Sequence, residues 1–196
     1  MAFPAFGDKP LEQMVELHHR LSEVVQRLPK CRIVIITLGL VELFVDTWSG
    51  FFTNTTPWLT ASPGRYEFGV LTYEEVMSAL ERIHRLLSER GHPEIQILVT
   101  VSPVPLDATF TGGDIVVANT YSKSVLRTAA SQWAEAHDNV YYFPSYEIVM
   151  NSARERAWLA DGRHVRAEMV GHIMHTFADT YADTPVVTAP MHPGPG

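Results

Sequence analysis

Arg32-Ile33-Val34-Ile35-Ile36-Thr37-Leu38, closed by Gly39, is the stretch on which the reading of the fold turns. Residues 33–36 are β-branched without interruption, which predicts a strand covered on both faces, as in a parallel sheet. A second apolar run, Ile95 to Val101, ends in Ser102-Pro103-Val104-Pro105, whose prolines cannot continue a ladder. A third, Val140 to Phe143, stops at Pro144.

Helical patterns fall between these strands. Leu11, Met14, Val15, Leu17, Leu21, Val24, Val25 and Leu28 recur at helical spacing and predict an amphipathic helix ended by Pro29. Thr72-Tyr73-Glu74-Glu75 is a capping box that opens a helix through Val76, Leu80, Ile83 and Leu87 to Gly91. Gly112-Gly113-Asp114 precedes a helical segment from Ile115 to Ala136. A short helical piece lies around Arg154 to Trp158, and Met169, Ile173, Met174, Phe177 and Tyr181 mark the last helix. From Trp48 to Gly69 the chain shows no period and is rich in Thr, Pro, Gly and aromatics, so we expect a long loop acting as a lid or pocket wall. Trp48, Phe51, Phe52 and Trp58 would there either line an acyl or sugar pocket or anchor the loop.

Alternating strands and helices predict an α/β domain with a mostly parallel sheet and helices on both faces. We expect it to span residues 1–182, followed by a Pro/Gly-rich tail at 183–196. The chain has 196 residues, 46% hydrophobic and 19% charged, enough for one substantial core. A formal net charge of −7 without a basic run argues against nucleic acid as a partner. No apolar segment is long enough to span a membrane, and no leader pattern opens the chain, which sets a cytoplasmic location as the expectation. The single Cys31 rules out an internal disulfide and a thiolate zinc site. His172 and His175 share a helix face without a carboxylate partner, and His18 and His19 point apart. We therefore expect neither metal nor cofactor.

In parallel α/β sheets ligands bind beyond the carboxyl ends of the strands. Gly39 to Glu42, Ser102 to Phe110 and Asp161 to His164 should converge there. Asp161-Gly162-Arg163-His164 is the motif with chemistry: an Asp three residues before a His can fix the imidazole tautomer while the other nitrogen takes a proton. The bland alternative is an Asp bonding local amides beside a surface His. Ser102 follows a strand at the right edge, although Ser-Pro more often starts a turn. Ser122 lies within a helix, where packing or a hydrogen bond to Asn119 or Lys123 is the simpler role. Cys31 falls at the opposite edge and reads as structural.

Thr37-Leu38-Gly39-Leu40-Val41-Glu42, Thr100-Val101-Ser102-Pro103-Val104-Pro105-Leu106, Asn119-Thr120-Tyr121-Ser122-Lys123-Ser124 and Tyr142-Phe143-Pro144-Ser145-Tyr146-Glu147-Ile148, followed by Asp161 and His164, together resemble the GSCFA family. That family resembles a branch of the SGNH (GDSL-type) hydrolases and acyltransferases. The resemblance implies a flavodoxin-like three-layer α/β/α fold and a Ser-Asp-His site whose last two members are Asp161 and His164. It also implies an ester hydrolase or O-acyltransferase acting on a small-molecule or glycan ester. The family's serine lies in a Gly-Ser-Cys-Phe-Ala segment on its first strand, and these 196 residues contain no such segment. The expectation is a sheet lacking that strand, its open edge covered by a second copy or a complementing chain. Gly39-Leu40-Val41-Glu42 stands where many SGNH enzymes carry an oxyanion-binding Asn. Val41 cannot donate through its side chain, which leaves Gly39, Glu42, Ser102 and Asn119 as substrate or oxyanion candidates. The alternative is a non-catalytic binding or assembly module of the same fold.

Overall fold

A computed structural model describes residues 10–53 and 64–181. The first helix, α1 (Leu11–Arg27), runs through a 3₁₀ turn at Leu28–Lys30 into β1 (Ile33–Leu38). β2 (Glu42–Asp46), β3 (Phe52–Thr53) and β4 (Tyr66–Val70) follow, then α2 (Tyr73–Arg90) and β5 (Gln96–Val101). The chain continues with α3 (Ile115–Ala136), β6 (Val140–Tyr142), α4 (Ser145–Met150), α5 (Arg154–Ala157) and α6 (Ala167–Tyr181).

The three apolar runs form one parallel sheet in the order β1-β5-β6, paired from Ile33↔Gln96 to Leu38↔Val101 and from Ile97↔Val140 to Val99↔Tyr142. Ile97, Val99 and Val101 share a face with Val34, Ile36 and Leu38. This face packs on Val76 and Leu80 of α2 and on Leu126, Ala129, Ala130 and Trp133 of α3, forming the main core. Both helices start where expected. Thr72 Oγ1 accepts from Glu75 N while Glu75 Oε2 accepts from Thr72 N, and Asp114 accepts from Val116 N and Val117 N.

The opposite face departs from expectation. Leu98, cross-strand neighbour of Ile35, is buried at 3% exposure, yet Ile33 and Ile35 are 52% and 54% exposed. β1 is therefore covered on one face, because α1 does not lie on it: none of that helix's residues is buried, and Leu11, Leu21, Val24 and Val25 stand in the open. The expected helix layer is present only toward β5 and β6. There Ser145 of α4 reaches Thr100, and Phe177 and Tyr181 of α6 pack edge-on against Phe143. Among the described residues the outer edge of β1 has no paired strand.

The stretch expected as one long loop is partly a second sheet. β2 pairs antiparallel with β3 and β4 in the order β3-β2-β4. Phe44, Phe68 and Phe110 form an aromatic triangle with centroids 5.1–6.0 Å apart. Asp46 closes the hairpin: Arg65 donates to both its carboxylate oxygens at 2.9 and 2.7 Å, and Ser49 Oγ and Trp48 N donate as well. The Arg65 hydrogen bond is the main reason this carboxyl titrates well below the usual range. Arg65 also covers one face of the Trp48 ring at 4.4 Å, although Trp48, like Phe51 and Phe52, remains exposed. Trp58 and the tail at 183–196 lie outside the described residues.

Candidate functional site

Asp161–His164 occupies the tip of a small hairpin. Trp158 and Val165 bridge antiparallel, Leu159 N donates to His164 O, and Gly162 N donates to Leu159 O at 3.0 Å. Gly162 takes φ +66°, a left-handed turn conformation, and a Cβ there would meet Arg154 Nη2 at 2.6 Å. The positive φ is what favours glycine here, since the Arg154 guanidinium ends a flexible side chain that can move aside.

The turn brings both readings of the Asp-x-x-His motif together. Asp161 Oδ1 accepts from Arg163 N and His164 N at 2.9 and 3.0 Å, which is the local-amide role. Its Oδ2 lies 2.5 Å from His164 Nδ1. The imidazole bond, then the two amides, hold the Asp161 carboxyl well below the usual carboxylate range. A carboxylate accepts only, so Nδ1 carries the proton and Nε2 presents a lone pair. His164 Nε2 has no hydrogen-bond partner among the described residues, and the pair is half-exposed. In its neutral form that is a base fixed in one tautomer on a half-exposed side chain.

The loop after β5 ties the other candidates to this hairpin. Arg163 pairs with Asp107, and Leu106 N donates to Asn119 Oδ1 at 3.1 Å. Glu42 accepts from Thr109 Oγ1 at 2.7 Å and Phe110 N at 3.3 Å. Its carboxylate is committed as an acceptor and cannot serve a developing oxyanion, which removes Glu42 from that role. Asn119 keeps its amide N–H groups as donors. Ser102 sits at the end of β5, its Oγ accepting from Val104 N at 3.3 Å as in a turn. Gly39 gives its carbonyl to Lys123 Nζ at 2.8 Å.

Two recesses result. One, of about 150 Å³, is lined by Pro103, Asn119, Lys123, Tyr146, Arg154 and Gly162 among others. The second, of about 490 Å³ and open to solvent, lies between Gly39, Leu40, Glu42, Leu43 and the strand residues Phe52 and Thr53. Asn119 and Gly162, the glycine of the Asp161–His164 turn, therefore line one recess, while Gly39 and Glu42 line the other.

Lys123 and Ser122 carry more than sequence reasoning assigned them. Lys123 is buried, and desolvation lowers its pKa to about 8. Ser122 Oγ accepts from Val41 N at 3.0 Å, rather than bonding Asn119 or Lys123. Adjacent residues of one helix turn thus hold the backbone leaving β1 at Gly39 and Val41. Their place inside the quoted Asn119–Ser124 motif was the only signal. Ser145 is buried too, its Oγ 2.5 Å from Thr100 Oγ1. Cys31 donates to Arg27 O before β1, at the far edge as expected, and His172 and His175 are exposed on α6.

The GSCFA family model matches residues 5–177. The chain belongs to the GSCFA family. No curated protein matches it. No helix among the described residues is long and apolar enough to cross a membrane.

Proposed function

We propose that this GSCFA chain is an SGNH-like ester hydrolase or O-acyltransferase with a flavodoxin-like three-layer fold, in which His164 is the general base and Asp161 orients it. One observation carries the reading: Asp161 Oδ2 at 2.5 Å from His164 Nδ1, with Nε2 free to accept a proton from a hydroxyl. Asn119 and Lys123 line the recess beside Gly162, where the Asn119 amide N–H groups would be donors for an oxyanion. Lys123 and Arg154 are the charged groups of its lining, which favours a small-molecule or glycan ester bearing a negative group. A cytoplasmic setting fits such a substrate.

The serine is the open member. Ser102, Ser122 and Ser145 hold local bonds, and two of these are buried. This favours the second reading, a non-catalytic binding or assembly module that keeps the pocket. It also makes the bare face and free edge of β1 the place where a second copy or a complementing chain would complete the sheet.

Turnover of short-chain aryl esters, with and without a hydroxyl acceptor, separates the two readings. The enzyme reading expects hydrolysis or transfer that falls by about 10³-fold in His164→Ala. A folded chain that binds acyl esters without turning them over is the module instead.

A further inference from the structure

Far from the hairpin, at the amino end of the sheet, three side chains with metal-binding atoms meet. Glu81 and His84 are three residues apart on α2 and so share a face, while His137 caps the C-terminus of α3. One ligand atom from each lies within 4.8 Å of the other two. His137 Nε2 sits 2.9 and 3.0 Å from the Glu81 carboxylate oxygens, and the His84 and His137 rings stack with centroids 3.7 Å apart.

The surroundings fix which His84 nitrogen can bind. Asn139 Nδ2 donates to Ile95 O at 3.1 Å, so its Oδ1 is the atom facing His84 Nε2 at 2.9 Å. An amide oxygen accepts only, which puts the His84 proton on Nε2 and the lone pair on Nδ1. An imidazole whose second nitrogen donates to a carbonyl oxygen is the support that metal-ligating histidines use.

We propose that Glu81, His84 and His137 form a binding site for a divalent transition metal of the zinc class, tying α2 to the end of α3. Two imidazoles and one carboxylate suit zinc, whereas calcium and magnesium require oxygen donors throughout. Tetrahedral zinc places neighbouring donors about 3.3 Å apart, close to the separation Glu81 and His137 already have. Metal replaces the His137 Nε2 proton, which leaves to solvent, and the stacked rings tilt until both nitrogens face the ion. Glu81 is exposed on a flexible stem and closes the remaining gap. Water fills the fourth position.

The test uses the full chain, stripped with a chelator and titrated with zinc chloride by calorimetry, with thermal unfolding alongside. One equivalent should bind, and a hundredfold excess over Kd should raise Tm by about 5–10 °C. Glu81→Gln, His84→Gln and His137→Gln should each weaken binding at least about tenfold, while a His172→Gln/His175→Gln double variant binds as before. No bound zinc at micromolar concentrations, or unchanged affinity in a variant carrying all three of Glu81→Gln, His84→Gln and His137→Gln, overturns the site. Cobalt loaded on the unsubstituted chain gives a readout that does not depend on any variant folding. Intense tetrahedral bands are expected, and a weak octahedral spectrum would overturn the proposal.

Discussion

β1 and β5 lie side by side in register with closely similar sequences, Ile-Val-Ile-Ile-Thr-Leu against Gln-Ile-Leu-Val-Thr-Val, yet they live in different environments. Every residue of β5 after Gln96 is buried, whereas β1 alternates and leaves Ile33 and Ile35 open. Apolar composition states what a strand can bury, and the neighbours decide what it does bury. The helix that could have covered β1 precedes it in sequence and is itself apolar on one side, but lies away from the sheet.

The largest expected effect tests this contrast on one cross-strand pair. Leu98→Ala should cost about 2–5 kcal/mol in denaturant unfolding, and Ile35→Ala less than about 1 kcal/mol. An Ile35→Ala cost equal to that of Leu98→Ala would break the comparison, because it would mean that this face is covered in solution. Next, Ser122→Ala strips the buried Val41 N–H of its acceptor and should cost about 1–3 kcal/mol, which sharpens the contrast by showing that the carboxyl end of β1 is pinned even where its face is bare. Gly162→Ala should cost about 1–2 kcal/mol from the positive φ, and by displacing the Arg154 guanidinium should weaken any ligand held in the adjoining recess.

The smallest effect is a pH slope. Burial lowers the Lys123 pKa to about 8, so between that pH and about 10.5 the unfolded chain binds more protons than the folded one. This group's contribution therefore makes stability rise with pH across that window. Lys123→Met should flatten the slope in urea titrations from pH 7.5 to 10, and an unchanged slope would show that Lys123 is well hydrated.

The parallel strands and both long helices were legible because β-branched runs, a capping box and a long helical segment after Gly112-Gly113-Asp114 are local signals. The second sheet was not. Its strands are short, interrupted by Thr, Gly and aromatics, and held by Asp46–Arg65, a pair 19 residues apart. α4 hid behind Pro144 in six residues, too few to show a period. The same rule divides the functional residues. Asp161 and His164 stand three apart and could be read directly, whereas Glu81 and His137, 56 residues apart, meet only because α2 packs on α3.

The central claim is that Asp161 and His164 act together on a serine. Labelling with a serine-directed fluorophosphonate, mapped by mass spectrometry, tests it on the unsubstituted chain, Asp161→Asn and His164→Ala. One serine should be labelled, at a rate that falls by about 10²-fold or more in both variants. Labelling that is absent from a folded chain, or equally fast in His164→Ala, would contradict it.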